Sequence, residues 1–373
     1  MNKNLLAAAV AAAMFAPAVA SAGDVTVYGR VQAEYSIEDS SANGVDSQQS
    51  VNDDANQSRI GFKFKEKLGG GLTAFGKLEY HINPSNGAGT VNSNANQNNN
   101  ALGGRDQHVG IKGSWGSIAA GSFHAPYKTA GGVKWDAFNA THLQARRAGG
   151  MSGGTGIGGH NGFMRNAIYY TSPNVNGFKV QFAISPDETG PVANNGGTTN
   201  SDDGDNDYSL AVQYKNGPWH AIVAHNRNNN DSASGDETLT KVGLRWKNGP
   251  WTLAGQYESI NDAAAVDGGK APTGIASTQN YRIDAGDDGD ILFLQGAYKA
   301  GNNIFVATYG STDADESSAN GGNDYDYDYW AVGVIHKFSK KTRIFAGYTE
   351  TDGDSSENAA DRDAFSVGIR KDF

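Results

Sequence analysis

From Val25 to the last residue, apolar and polar side chains alternate with a period of two. In the first run Val25, Val27, Val31 and Ala33 alternate with Thr26, Tyr28, Arg30, Gln32 and Glu34. In the second, Ile60, Phe62 and Phe64 alternate with Arg59, Lys63 and Lys65. The last run sets Phe365, Val367, Ile369 and Phe373 on one face and Ser366, Gly368, Arg370 and Asp372 on the other, with Lys371 out of place in the apolar row. Strict alternation predicts strands with one apolar face and one wet face. The run ends on Phe373 with nothing after it, as a final strand must if it is to seal against a first one.

The connections between runs also alternate, short then long. The short ones fall at 68–71, 113–116, 173–177, 215–218, 247–250, 299–302 and 339–341, and most carry Gly or Asn, which supply the positive φ of tight hairpins. Two share the string Lys-Asn-Gly-Pro-Trp, ending at Trp219 and Trp251. The long connections, near 38–56, 84–103, 124–163, 187–205, 229–236, 261–287, 313–323 and 353–360, are rich in Asn, Asp, Ser and Gly. Together they join 16 strands. Short turns at one end and long loops at the other are the pattern of an all-β, 16-stranded antiparallel transmembrane β-barrel, with the short turns periplasmic and the long loops extracellular.

A lipid-facing Lys or Arg at the bilayer midplane costs about 2–4 kcal/mol. That penalty assigns Arg30, Glu34, Arg59, Lys63, Lys65, Lys77 and Lys112 to the lumen. Glu79, His108 and Phe75 follow by the same parity, and Tyr28 and Phe75 form no visible ladder of rings. Tyr80, Trp219, Trp246, Trp251, Tyr257, Tyr298, Trp330 and Tyr348 fall on the lipid face, many near strand ends where interfacial aromatics belong.

Composition narrows the alternatives. Hydrophobic residues are only 38% and mean hydropathy is −0.53, yet Gly reaches 50, Tyr 16 and Phe 15. A barrel wall needs only every second residue apolar. Beyond the first residues no run is long and apolar enough for a membrane helix. Cys is absent, which excludes disulfides and thiolate chemistry. A net charge of −10 argues against nucleic acid, and the acids gather between strands, as at Asp202, Asp203, Asp205 and Asp207 or Asp284, Asp287, Asp288 and Asp290. These oxygens suit divalent cations but lack a calcium-loop spacing. Asp324, Asp326 and Asp328 share the parity of Trp330 and could face lipopolysaccharide head groups. Residues 1–22 read as a signal peptide, with Lys3, an apolar stretch from Leu5 to Phe15 and Ala20-Ser21-Ala22 before the cut. The barrel domain is then 23–373.

The chain resembles the Gram-negative general porin family of trimeric, 16-stranded barrels. The matching strings, in family order, are Val25-Thr26-Val27-Tyr28-Gly29-Arg30, Ser58-Arg59-Ile60-Gly61-Phe62-Lys63, Val109-Gly110-Ile111-Lys112-Gly113, Asn166-Ala167-Ile168-Tyr169-Tyr170-Thr171-Ser172-Pro173, Gly177-Phe178 and the terminal Phe373. The resemblance implies a water-filled pore in the outer membrane, contact with its lipid and lipopolysaccharide, a homotrimer, and a third loop folded into the lumen as a constriction. It also implies that Phe365, Val367, Ile369 and Phe373 form the signal read by the barrel assembly machinery. The third-loop segment, about His124–Gly162, departs from the family pattern of several carboxylates: Asp136 is its only acid, against Lys128, Lys134, Arg146 and Arg147, with His124, His142 and His160 nearby.

The expected function is passive diffusion of small hydrophilic solutes, with no cofactor, metal or catalytic site. Bases on the wall facing a basic loop lower the barrier for anions, and acidic outer loops are screened beyond a Debye length of about 8 Å, so a weak anion preference is expected despite the net charge. The rivals are a substrate-specific channel for a sugar or small anion, an outer-membrane enzyme and an adhesion barrel; His225 and His336 have no paired nucleophile in the sequence.

Overall fold

The computed structural model describes residues 24–40, 45–52, 58–82, 84, 103–152, 161–186, 206–228, 236–262, 288–315, 326–353 and 361–373. The expected signal peptide, Asp202, Asp203, Asp205, Asp284, Asp287, Asp324 and His160 lie outside these residues. One sheet of 17 strands accounts for nearly all of the described chain. In order they are β1 (Asp24–Ser40), β2 (Val45–Asn52), β3 (Arg59–Gly69), β4 (Leu72–His81), β5 (Gly103–Gly113), β6 (Gly116–His124), β7 (Phe163–Thr171), β8 (Phe178–Ser185) and β9 (Asp207–Asn216). There follow β10 (Trp219–Asn228), β11 (Glu237–Asn248), β12 (Trp251–Asn261), β13 (Gly289–Ala300), β14 (Asn303–Ala314), β15 (Tyr327–Lys337), β16 (Thr342–Gly353) and β17 (Arg362–Asp372).

Each strand pairs antiparallel with its neighbours, and β17 returns to pair with β1 from Arg30↔Asp372 to Ser40↔Arg362. Closure removes both edges, so the ladders pair strand to strand all round the wall without water, as a lipid-embedded wall requires. The strand count differs from the 16 expected for one reason. The segment 38–56, read as a loop, contains the end of β1 and all of β2. The lower half of β1 pairs with β3 (Asp24–Arg30 against Lys65–Arg59) and the upper half with β2 (Glu34–Ser40 against Asn52–Val45). β2 and β3 therefore share one position in the wall, and the closed barrel is 16-stranded. Polar residues of β2 such as Gln48, Gln49 and Ser50 hide it, because they carry no apolar stripe.

The period-two faces are as the sequence dictates. Val25, Val27, Val109, Val223, Leu244 and Leu253 are exposed on the outside of the wall. Outward rings meet in tilted pairs across strands, Trp219 with Trp246 (6.4 Å), Trp251 with Tyr298 (4.6 Å) and Trp330 with Tyr348 (5.4 Å). The first two pairs border the short turns, where Gly217 (φ 53°) and Gly249 (φ 54°) of the repeated Lys-Asn-Gly-Pro-Trp string take the left-handed conformation that other residues resist. Lys371 sits at this same rim: its Nζ donates to Thr342 Oγ1 (3.0 Å) at the first residue of β16. A base there keeps its charge in the interface, where its cost falls to about 0–1 kcal/mol.

The buried apolar groups do not form a central core. They lie where residues 125–152 pack on the inner wall, Tyr127 and Trp135 in one cluster and Phe138, Leu143, Ala145 and Ala148 in another.

Candidate functional site: the lumen and its third loop

The third loop enters the barrel from His124, through a short helix α1 (Pro126–Thr129) and two 3-10 turns, Gly132–Lys134 and Ala145–Arg147. It is tied to strands almost all the way round. At one end, the Tyr127 hydroxyl donates to Glu258 on β12 (2.7 Å) and its backbone N–H to Ser209 on β9 (3.0 Å). In the middle, Gln295 on β13 accepts from the Ala137 N–H (2.7 Å) and donates to the Trp135 carbonyl (2.8 Å). Gln32 on β1 donates to the Ala140 carbonyl, and Glu34 accepts from the His142 N–H (2.7 Å). Glu38, gripped by Arg362 (2.6 Å), also holds the His142 ring (2.5 Å). Farther on, Tyr329 donates to the Leu143 carbonyl (2.5 Å), and Thr351 to that of Ala148 (3.1 Å). Glu258 completes the circuit by accepting from the Ser152 hydroxyl. Apolar fit adds to this: a β-carbon at Gly310 on β14 would lie 2.3 Å from Gly150 Cα, so the loop backbone presses directly on the wall.

Asp136, the loop's only acid, does not face the lumen. Its two oxygens accept from the N–H groups of Phe138 (2.8 Å) and Ala145 (3.0 Å), which pins the bend to itself. Burial raises its pKa to about 6, against the pull of those donors. Lys128 is buried with its ammonium 4.8 Å from the centre of the Phe163 ring, and burial and the charge of Arg146 bring its pKa well below the usual lysine value. Arg146 donates to the Asn161 carbonyl (2.9 Å). Lys134 is exposed to the lumen. Loss of water in the confined lumen, and then the charge of Arg59, lower its pKa. Of Arg147 only the backbone, in its 3-10 turn, is described.

Opposite Lys134 stands a basic wall. Glu79 on β4 receives Arg105 (2.8 Å), Lys77 (3.1 Å), Arg59 (3.5 Å) and the Tyr28 hydroxyl (2.7 Å). Asp106 pairs with Lys77 and with His124 (2.8 Å). Lys63 lies 4.3 Å from the centre of the Tyr28 ring. Five cations, Arg59, Lys63, Lys77, Arg105 and Lys134, thus surround two carboxylates. The remaining expected lining residues lie elsewhere. Arg30 turns inward but is paired with Asp372 (2.9 Å), and Glu34 is buried beneath the loop. Lys65, 63% exposed and 3.5 Å from Asp24, and the exposed Lys112 stand at the short-turn mouth rather than beside the loop.

Arg105 and Asp106 escaped the alternation because of a bulge. The register of β4 against β5 shifts between Leu78↔Gln107 and Tyr80↔Gly104, so two consecutive residues bury their side chains on the lumen side. Glu38 and Glu258 obey the parity of their strands, but Glu38 fell in the segment read as a loop, and neither was identified as an anchor for the third loop. The sequence did not reveal a partly covered row of inward rings, of which Phe75 is a member and Tyr28 is not. Phe75, His108, Phe123 and Tyr169 follow one another across β4 to β7 at 6.2, 5.0 and 5.2 Å. Phe123 lies under the loop, and Phe75 and Tyr169 are half-buried.

A closed wall, apolar outside and charged inside, with a loop bound across its lumen, matches known proteins along its whole length. A family model described as Gram-negative porin matches residues 7–356. The major outer membrane protein P.IB of Neisseria lactamica is 25% identical over 397 residues, covering 100% of both chains. An outer membrane porin protein of Bordetella pertussis is 25% identical over 409 residues, again covering 100% of both. Among solved structures, an anion-selective porin from Comamonas acidovorans superposes with a TM-score of 0.70 at 21% identity, covering 94% of this chain and 100% of its own. OmpF of Salmonella typhi gives 0.69 at 17%, covering 94% and 97%. The chain belongs to the Gram-negative porin family, and is a non-enzymatic channel of the outer membrane.

Proposed function

We propose that this porin is a general diffusion channel whose lumen is narrowed by the third loop and whose narrow zone weakly prefers anions. The observation that carries the reading is the charge balance at that level: Arg59, Lys77 and Arg105 are paired to Glu79 and Asp106, Lys63 and Lys134 add two further cations nearby, and the loop's own carboxylate is turned onto its backbone. A lining with excess positive charge lowers the barrier for anions and raises it for cations. The similar Comamonas acidovorans protein is described as anion-selective, which accords with the proposal. Small hydrophilic solutes pass without a fixed site, residues 1–22 are removed on export, and the barrel works as a homotrimer with its short turns in the periplasm. A trimer form of OmpT from Vibrio cholerae, of the same fold, supports that last part. Zero-current potential across a KCl gradient, measured on the purified protein in planar bilayers, tests the reading; cation selectivity overturns it.

One observation favours a second reading, a channel with a subsite for ring-shaped solutes. Phe75 and Tyr169, half-buried at the two ends of the row, present ring surface on the inner wall, and Tyr169 accepts from the amide of Gln181, which bonds in turn to Gln213 (2.5 Å). Saturable block of single-channel current by an uncharged sugar, lost in Phe75→Ala, would establish it.

A further inference from the structure

Fifteen of the sixteen contacts around the wall join neighbours in the chain, where a connecting segment limits how strands can slide. The seam between β1 and β17 has no such guide, because Arg30 and Asp372 are 342 residues apart in sequence. Something in the side chains must choose its register. Parity forbids a slip of one residue, since it would turn every apolar group of β17 into the lumen. A slip of two preserves both faces and has to be excluded by other means.

At the seam the terminal ring lies over Gly29. The two residues exchange backbone hydrogen bonds, Gly29 N–H to the Phe373 carbonyl (3.3 Å) and Phe373 N–H to the Gly29 carbonyl (3.1 Å). A β-carbon at Gly29 would stand 2.2 Å from Phe373 Cζ and 2.7 Å from Cε2, with the Arg59 carbonyl oxygen also at 2.7 Å. The Gly29 backbone lies within β1 and carries no positive φ, so the ring and not the backbone conformation demands glycine. Gly29 is the only glycine in β1. Displaced by two in either direction, Phe373 would meet Val27 or Val31, whose branched side chains occupy the space the ring needs. One of these displacements would also bring Arg30 opposite Arg370 in place of its partner Asp372. The same device recurs between neighbouring strands from β16 round to β4: Phe345 covers Gly368, Tyr28 covers Gly61 and Phe64 covers Gly76, with a hypothetical β-carbon 2.3, 2.5 and 2.1 Å from the ring.

We infer that Gly29 is the register-setting residue of barrel closure: a seat that accepts the Phe373 ring in one alignment of β17 only. This role is separate from recognition of the C-terminal residues by an assembly machine, and it acts in its absence.

The chain has no cysteine, so paired cysteines can report the alignment. Val31 and Lys371 are direct partners in the native register, and Val31 and Ile369 become partners after a slip of two. The full mature chain is refolded in detergent, without assembly machinery, and oxidised. Val31→Cys/Lys371→Cys should cross-link and Val31→Cys/Ile369→Cys should not. Adding Gly29→Val should lower the native cross-link by about threefold or more and raise the slipped one above background, whereas Gly296→Val, an outward glycine with only Leu253 Cδ2 at 3.7 Å, should change neither. If Gly29→Val does not fold, Phe373→Ala, which empties the seat without adding bulk, decides the matter through the same two pairs. Native cross-linking that stays at its original level, with no slipped product, in Gly29→Val or in Phe373→Ala overturns the inference.

Discussion

Reversing the charge of Lys134 is the most direct perturbation of the proposed selectivity. This loop ammonium is exposed to the lumen and faces Arg59, Lys77 and Arg105, so Lys134→Glu changes the lining by two charges without disturbing the anchors of the loop. A unit charge about 7 Å from an ion on the pore axis acts with roughly 0.6 kcal/mol in water. Screening at physiological salt, with a Debye length of about 8 Å, leaves roughly 0.25 kcal/mol. Two charges then shift each permeant ion by about 0.5 kcal/mol, in opposite directions for anion and cation, so their ratio shifts by about 1 kcal/mol, close to fivefold. Zero-current potentials in a KCl gradient near 0.1 M read that ratio directly. The effect should nearly vanish near 1 M salt, where the Debye length is about 3 Å. A change below about 1.5-fold at low salt, or one equally large at both salts, would refute the electrostatic reasoning.

Three other outcomes follow from the same geometry. Because the pKa of Lys134 is lowered, the anion preference should weaken with rising pH before a free lysine would lose its proton, and Lys134→Arg should reduce that slope in the same bilayer measurement. Asp136→Ala leaves the N–H groups of Phe138 and Ala145 without an acceptor at about 1–3 kcal/mol for each, so single-channel traces should become noisier and the refolded barrel less heat-stable on gels. Arg362→Ala strands the buried Glu38, a loss of about 3–5 kcal/mol for a pair out of water, and should lower the unfolding temperature followed by circular dichroism, with Glu38→Gln in the same chain restoring part of it.

Much of this protein is a local matter. Period-two alternation, the lipid penalty on charged residues and the seven short turns together determine the strand faces, the barrel class and the inward direction of Arg30, Arg59, Lys63 and Lys77, because each depends only on a residue and its immediate neighbours. That the third loop enters the lumen was implied by the family resemblance and not by the residues of the loop themselves. Other features depend on groups far apart in sequence. Asp136, expected only as the single acid of the third loop, is the clasp of its own bend, since burial makes two backbone donors a better partner than the lumen. Arg105 and Asp106 joined the basic wall through a bulge, which breaks the very period by which inward residues are recognised. The path of the loop was decided by Glu34 and Glu38 on the first strand, more than a hundred residues from the His142 they hold, and by Glu258 on β12. Alternation could turn Glu34 and Glu258 inward; only closing the barrel could bring the loop to meet them and Glu38.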